Sequence, residues 1–170
     1  YMLRQAMIDE LKTDGANTHK LLERVPLNQP EWNPHHKSRN IEQLAKHVAN
    51  LYSWVPLIMT QDQVDFGKGS PFPAMPEMKS AIELTEYFDR KLSAAIEVLG
   101  NANDDDMNKP FAMKIGEKTI NVLSKAAAIR NIALNHLVHH RAQLGVYLRL
   151  LDVPIPGMYG PSADEQSMRT

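Results

Sequence analysis

The chain has 170 residues, and its 19 lysines and arginines against 20 aspartates and glutamates give a formal charge of −1. That length buries a sizeable core without cross-links and reads as one domain over residues 1–170. The even charge provides none of the basic surface that a nucleic-acid partner requires, and the absence of cysteine excludes disulfides, thiolate metal ligands and a protein-borne sulfur nucleophile.

The first helical pattern runs from about Met2 to Arg24, with Leu3, Met7, Leu11, Thr18, Leu21, Leu22 and Val25 in loose helical period. The N-terminal residues Tyr1 to Arg4 show no basic stretch leading into an apolar one, so no secretion signal is expected and the cytoplasm is the expected location. Pro26, Pro30 and Pro34 then make an extended connection. Ser38 or Asn40 can cap a second helix carrying Ile41, Leu44, Ala45, Val48, Leu51, Tyr52 and Val55, which Pro56 should kink or shorten. Gln61 to Met78, rich in Gly and Pro, is a long connection that could roof a cleft.

A third helix is expected from about Glu77 to Leu99, with Gly100 placed to end it. The following connection holds the acidic run Asp104–Asp106, expected to be a solvated loop, and a turn at Lys114-Ile115-Gly116-Glu117. Phe111–Met113 with Thr119-Ile120 is a candidate short hairpin. The fourth helix is expected from Val122 to about Leu151, before Pro154, Pro156 and Gly157 release an irregular tail. The fold class is therefore all-α: four amphipathic helices forming a four-helix bundle, with a long connection between helices 2 and 3 that could be a crossover. No apolar run reaches the roughly 20 residues that span a bilayer, so no membrane partner is expected.

The fourth helix carries the strongest functional signal. His136 and His140 stand four residues apart and so share one face. The apolar stripe of Val122, Ala126, Ile129, Ala133, Leu137, Leu144, Tyr147 and Leu151 has His140 near its centre and His136 about 60° to one side. His139 lies about 120° from the centre of that stripe, beside its flank. Two buried imidazoles need polar partners, and a shared metal ion would satisfy both. The pair also fits two surface residues, or a core pair bonded to carboxylates. A metal would need a third ligand from another helix. His47, mid-helix beside Leu51, Trp54 and Ile58, fits better than His19 among polar neighbours or His35 and His36 in the Pro-rich connection.

Three stretches together resemble the DinB/YfiT-like family: Asn135-His136-Leu137-Val138-His139-His140-Arg141-Ala142-Gln143-Leu144, the Leu44-Ala45-Lys46-His47 helix with Trp54 downstream, and the tail Pro156-Gly157-Met158-Tyr159-Gly160-Pro161-Ser162-Ala163-Asp164-Glu165. Trp32-Asn33-Pro34 fits as well, so the resemblance covers nearly the whole chain. It implies a bundle in up-down-down-up order and a divalent metal held by His47, His136 and His140. His139 is an additional histidine to which it gives no role.

Three neutral imidazoles leave a divalent ion its full charge and an open position, which is the catalytic kind of site. Zinc, nickel and iron all suit imidazole. The resemblance implies chemistry with a low-molecular-weight thiol, which a cysteine-free chain would have to take from solution. The leading expectation is a stress-related transferase adding such a thiol to an electrophilic small-molecule substrate. Gln143, on the side of His136, would orient substrate or water as a catalytic residue. Arg141, about 80° off the stripe, would anchor a neighbouring helix or the tail. The alternatives are hydrolysis by metal-activated water, for which no carboxylate is clearly placed (Glu42 and Glu86 are the candidates on helices), and a non-catalytic metal-binding protein. A homodimer suits this architecture.

Overall fold

The computed structural model describes residues 3–167, so Met2, the expected first residue of the first helix, lies outside it. The structure is mostly helical. Helix α1 (Leu3–Leu22) buries Met7, Ile8, Leu11, Leu21 and Leu22 together with the polar Asp14, Asn17 and Thr18, while Leu3 stays exposed. Of the two capping candidates, Asn40 starts α2 (Ile41–Asn50): its side chain accepts from the Gln43 amide while the Gln43 side chain accepts from the Asn40 amide. Pro56 acts as expected. It cannot donate to the Tyr52 carbonyl and its ring would crowd that turn. The chain therefore tightens into a 3-10 turn at Leu51–Ser53 and restarts as α3 (Trp54–Thr60), with Pro56 in the first turn.

Helix α4 (Ala81–Gly100) begins four residues later than the expected Glu77, because the Ser80 side chain caps it by accepting from the Glu83 amide. The acidic run is not a loop. Asp104–Asn108 form a short helix, α5, with Asn103 and Asp106 capping reciprocally. Three carboxylates in its first turn face the positive end of the helix dipole.

The all-α expectation is corrected by a three-stranded sheet. Strand β2 (Pro110–Ile115) pairs antiparallel with β3 (Lys118–Ser124) around Gly116, whose φ of 59° suits the hairpin turn. This hairpin includes the expected Phe111–Met113 and Thr119-Ile120 segments and is longer. Strand β1 (Gln63–Asp65), which the sequence reading lacked, adds in parallel to β2. Val122 and Leu123 therefore belong to β3, and Val122 is exposed rather than part of a buried helical stripe.

The last long helical segment starts at Lys125, capped by Ser124. It runs as α6 (Lys125–Ala128), a π-helical stretch (Ile129–Asn135) and α7 (His136–Leu150). The wider π turn shifts the phase of everything after it. In α7 the buried line is Leu137, Arg141, Leu144 and Leu148, so His140 and His136 lie at its edge and not at the centre. Helix α1 packs on α4 and α7, and α2 packs on α4 and α7. A short helix, α8 (Ala163–Ser167), closes the tail. No helix among the described residues is long and apolar enough to cross a membrane.

Candidate metal centre

Each histidine of the cluster is placed by an identifiable local cause. Helix α2 buries Ile41, Leu44, Ala45, Val48 and Ala49, leaving His47 half-buried on the flank that faces the π–α7 segment. On the other side, the π turn changes the backbone pairing around His136. Its amide donates to the Ala133 carbonyl, while its ring Nδ1 lies 3.2 Å from the Ile132 carbonyl oxygen. A carbonyl only accepts, so Nδ1 carries the hydrogen and Nε2 the lone pair. His140 is fixed in the same sense by Gln143, whose Oε1 sits 2.8 Å from His140 Nδ1.

The three rings then meet nitrogen to nitrogen. His136 Nε2 is 3.3 Å from His47 Nε2 and 3.0 Å from His140 Nε2. The ligand-capable nitrogens of His47, His136 and His140 all lie within 4.8 Å of one another. Lone pairs aimed at each other at such distances repel unless a positive charge sits among them. A proton is disfavoured: burial foremost, then the Arg39 guanidinium and the other two rings, holds His47 down to about 4. His136 and His140 are also held below the ordinary histidine value, chiefly by burial. Neutral imidazoles are what a metal ion needs. Four tetrahedral ligands at 2.0–2.1 Å stand about 3.3 Å apart, close to the spacings found here. The donor set fits a divalent ion.

Arg141 sets the rotation of α7. Its guanidinium, 3% exposed, reaches across to α1, where it donates to the Asp14 carbonyl at 3.0 Å, Thr18 Oγ1 at 3.1 Å and Asp14 Oδ1 at 3.0 Å. It also bonds Tyr159 of the tail, whose hydroxyl donates to Asp14 Oδ1 at 2.8 Å. The arginine next to His140 in sequence thus ties both a neighbouring helix and the tail, as the sequence reading had it. Asp14, its buried partner, gave no signal in the sequence, since an acidic residue on an apolar face looks like a break in the pattern.

The remaining histidines are elsewhere. His139 is exposed, with its ring edge-on to that of His140 at 4.8 Å between centroids and its Nε2 3.2 Å from Gln143 Nε2. His19 bridges Asp89 and Glu23, and His35 stacks on His36 in the exposed connection. Glu42 pairs with Lys46, and Glu86 is exposed on α4. Among the described residues the cluster consists of histidines alone.

Beside it opens a cavity of about 260 Å³, walled by His47, His136, Leu51, Trp54, Phe72 and Met75. The Gly- and Pro-rich connection supplies its roof, with Phe72 set edge-on against Trp54 at 4.8 Å between centroids. Asn50, one turn after His47, also lines the cavity. Its i, i+3 spacing from His47 was the available signal.

The sequence profile of the DinB superfamily matches residues 10–144, and the chain belongs to that superfamily. Solved structures of similar fold include a DinB-like protein from Bacillus subtilis, 14% identical with a TM-score of 0.71, covering 92% of this chain and 99% of that one. Another is a DinB-like protein from Bacillus cereus, 18% identical with a TM-score of 0.67, covering 91% and 97% respectively. A comparison with curated proteins finds no match.

Proposed function

We propose that this DinB-superfamily chain is a metal-dependent transferase that joins a low-molecular-weight thiol to an electrophilic small molecule. We read α1, α2 with α3, α4, and the α6–α7 segment as one domain in up-down-down-up bundle order, consistent with α1 and α2 each packing on both α4 and α7. His47, His136 and His140 hold the ion. When bound, a divalent cation in a three-histidine site supplies a positive charge that favours deprotonation of a thiol or water beside it. The observation that carries the reading is the convergence of three Nε2 atoms beside a largely apolar cavity that two of the histidines line.

The chain's own residues do the rest. Ile132 and Gln143 fix the ring tautomers, so that Gln143 serves as a positioning residue through His140. Trp54, Phe72 and Met75 keep water away from the reacting end and pack the organic part of the substrate. In the reaction the thiol gives its proton to solvent, and sulfur bonds to the electrophilic carbon as that carbon's bond to an epoxide oxygen or a leaving group breaks. The oxygen then takes up a proton from solvent, or the leaving group departs with the bonding electrons. Among the described residues the cavity wall carries no carboxylate, so none of them serves there as the general base that hydrolysis would use. Thiol transfer is favoured for that reason.

The test is a screen of metal-loaded protein with small thiols against monochlorobimane and epoxides, following thioether formation by mass spectrometry. Turnover that needs both metal and thiol is expected. Ester or amide hydrolysis without thiol, or no turnover with any thiol, would overturn the proposal.

A further inference from the structure

We propose that the cleft beside the three histidines takes an organic substrate ending in a carboxylate, held at that end by Lys91 and midway by the Asn50 amide. This rests on the triad being the reacting end and names the class of molecule that reaches it. A second cavity, of about 320 Å³, shares Asn50 and Phe72 with the first and extends along Leu57 to Tyr87 and Lys91 on α4. The two cavities adjoin at Asn50 and Phe72, and the proposed substrate would run from the histidines past these two side chains to α4.

Asn50 is oriented by its neighbours. Its Oδ1 accepts from the Tyr87 hydroxyl at 2.7 Å and from Ser53 Oγ at 2.9 Å. Both lone pairs of that oxygen are then used, which fixes the amide and turns Nδ2 with its two hydrogens away from Tyr87 and Ser53. No protein acceptor among the described residues bonds this Nδ2, and Asn50 lines both cavities. It is a preset donor for an oxygen atom of a substrate.

Lys91 supplies charge at the far end. Its Nζ lies 4.9 Å from the centre of the Tyr87 ring, and the Arg90 guanidinium is 5.9 Å from the same ring. Lys91 makes no ion pair with a carboxylate of the described residues, and the wall of the second cavity holds no Asp or Glu. An ammonium half-sheltered against an aromatic ring in a cavity attracts an anion more strongly than one in open solvent does. A carboxylate gains that attraction, whereas a primary amide of the same shape does not.

The experiment has two arms on the full chain. In the cobalt-loaded protein, ω-mercaptoalkanoates of about four to eight carbons are titrated beside their primary amides, with thiolate coordination followed by the cobalt charge-transfer band. In the metal-free protein, phenylalkanoates and phenylalkanamides are compared by ligand-observed NMR, where no ion can attract the carboxylate. We expect the carboxylate to bind about tenfold tighter than the amide at the best length in each arm. In Lys91→Met that ratio should fall to within about twofold, with amide affinity and cobalt content unchanged, and Lys91→Arg should restore it. A ratio near one in either arm where binding occurs, or a ratio unchanged by Lys91→Met, overturns the proposal. If no thiol coordinates cobalt but the metal-free arm shows the Lys91-dependent preference, the thiol reading falls and the carboxylate site stands.

Discussion

Removing His136 should abolish the stabilisation that a divalent ion confers, because its Nε2 lies between the other two, 3.3 Å from His47 and 3.0 Å from His140. A ligand that binds only the folded chain stabilises it by RT ln(1 + [L]/Kd), about 4 kcal/mol at a thousandfold excess over Kd. For a chain of this size each kcal/mol moves the melting temperature by about 2–4 °C, so zinc or nickel should raise it by about 8–16 °C above the chelated protein. His136→Ala leaves a weaker set of two imidazoles, and its metal-induced shift should shrink to about 2–4 °C or less. Without metal the variant should lose little, since the substitution also removes the facing lone pairs. His139→Ala, altering an exposed ring outside the cluster, should keep the full shift. Differential scanning calorimetry with chelator and with added metal measures all three proteins. Equal metal-induced shifts in the native chain and His136→Ala would refute the assignment of the triad.

Asp14→Ala should destabilise the fold by about 3–5 kcal/mol, since it strands the Arg141 charge, which is 3% exposed. Asp14→Leu with Arg141→Met should recover most of that in urea melts, and a single-variant cost below about 1 kcal/mol would contradict the buried-pair account. Tyr52→Phe should be neutral or stabilising by about 1 kcal/mol, because the Tyr52 hydroxyl is buried with no hydrogen-bond partner among the described residues; a clear loss of stability would show a bonded hydroxyl. The His19 pKa is raised: burial opposes this, but the Asp89 hydrogen bond and the Asp89 and Glu23 charges together outweigh it. A raised folded pKa means the contribution is fully present below the unfolded value of about 6.5 and is lost as pH climbs through the folded value. The stability gap between native chain and His19→Gln, below about 1 kcal/mol for so exposed a pair, should therefore close between pH 5.5 and 9. A gap that widens with pH would reverse the sign.

How much of this was legible in the sequence depends on which interactions are local. The Asn40 cap, the break before Pro56 and the Gly116 turn are decided within four or five residues, and the sequence displays them. The His136–His140 spacing is likewise local. His47 was reachable because it lies at the edge of an apolar face on a separate helix. By contrast, β1 is three residues long and contains both a glutamine and an aspartate. It exists because β2 offers an open edge beside it, which no periodicity within residues 63–65 reports. The start of the last helix was misplaced at Val122 because Val122 and Leu123 continue the apolar pattern. The β2 pairing and the Ser124 cap override that continuity.

The π stretch explains why the wheel chose two histidines that do converge but drew the wrong centre line. A regular helix drawn through Ile129–Asn135 keeps a single phase, and on it Arg141 falls outside the buried stripe. With the wider turn present, Leu137, Arg141, Leu144 and Leu148 face inward, and Arg141 finds Asp14 instead of water. The same turn takes the His136 amide to Ala133 and puts the Ile132 carbonyl against His136 Nδ1. One local departure from α geometry therefore sets both the ring that holds the central Nε2 and the buried ion pair that locks the helix carrying it. The irregular stretch and the three-nitrogen cluster are thus parts of one arrangement, with Arg141 and Asp14 keeping His140 in register with His47.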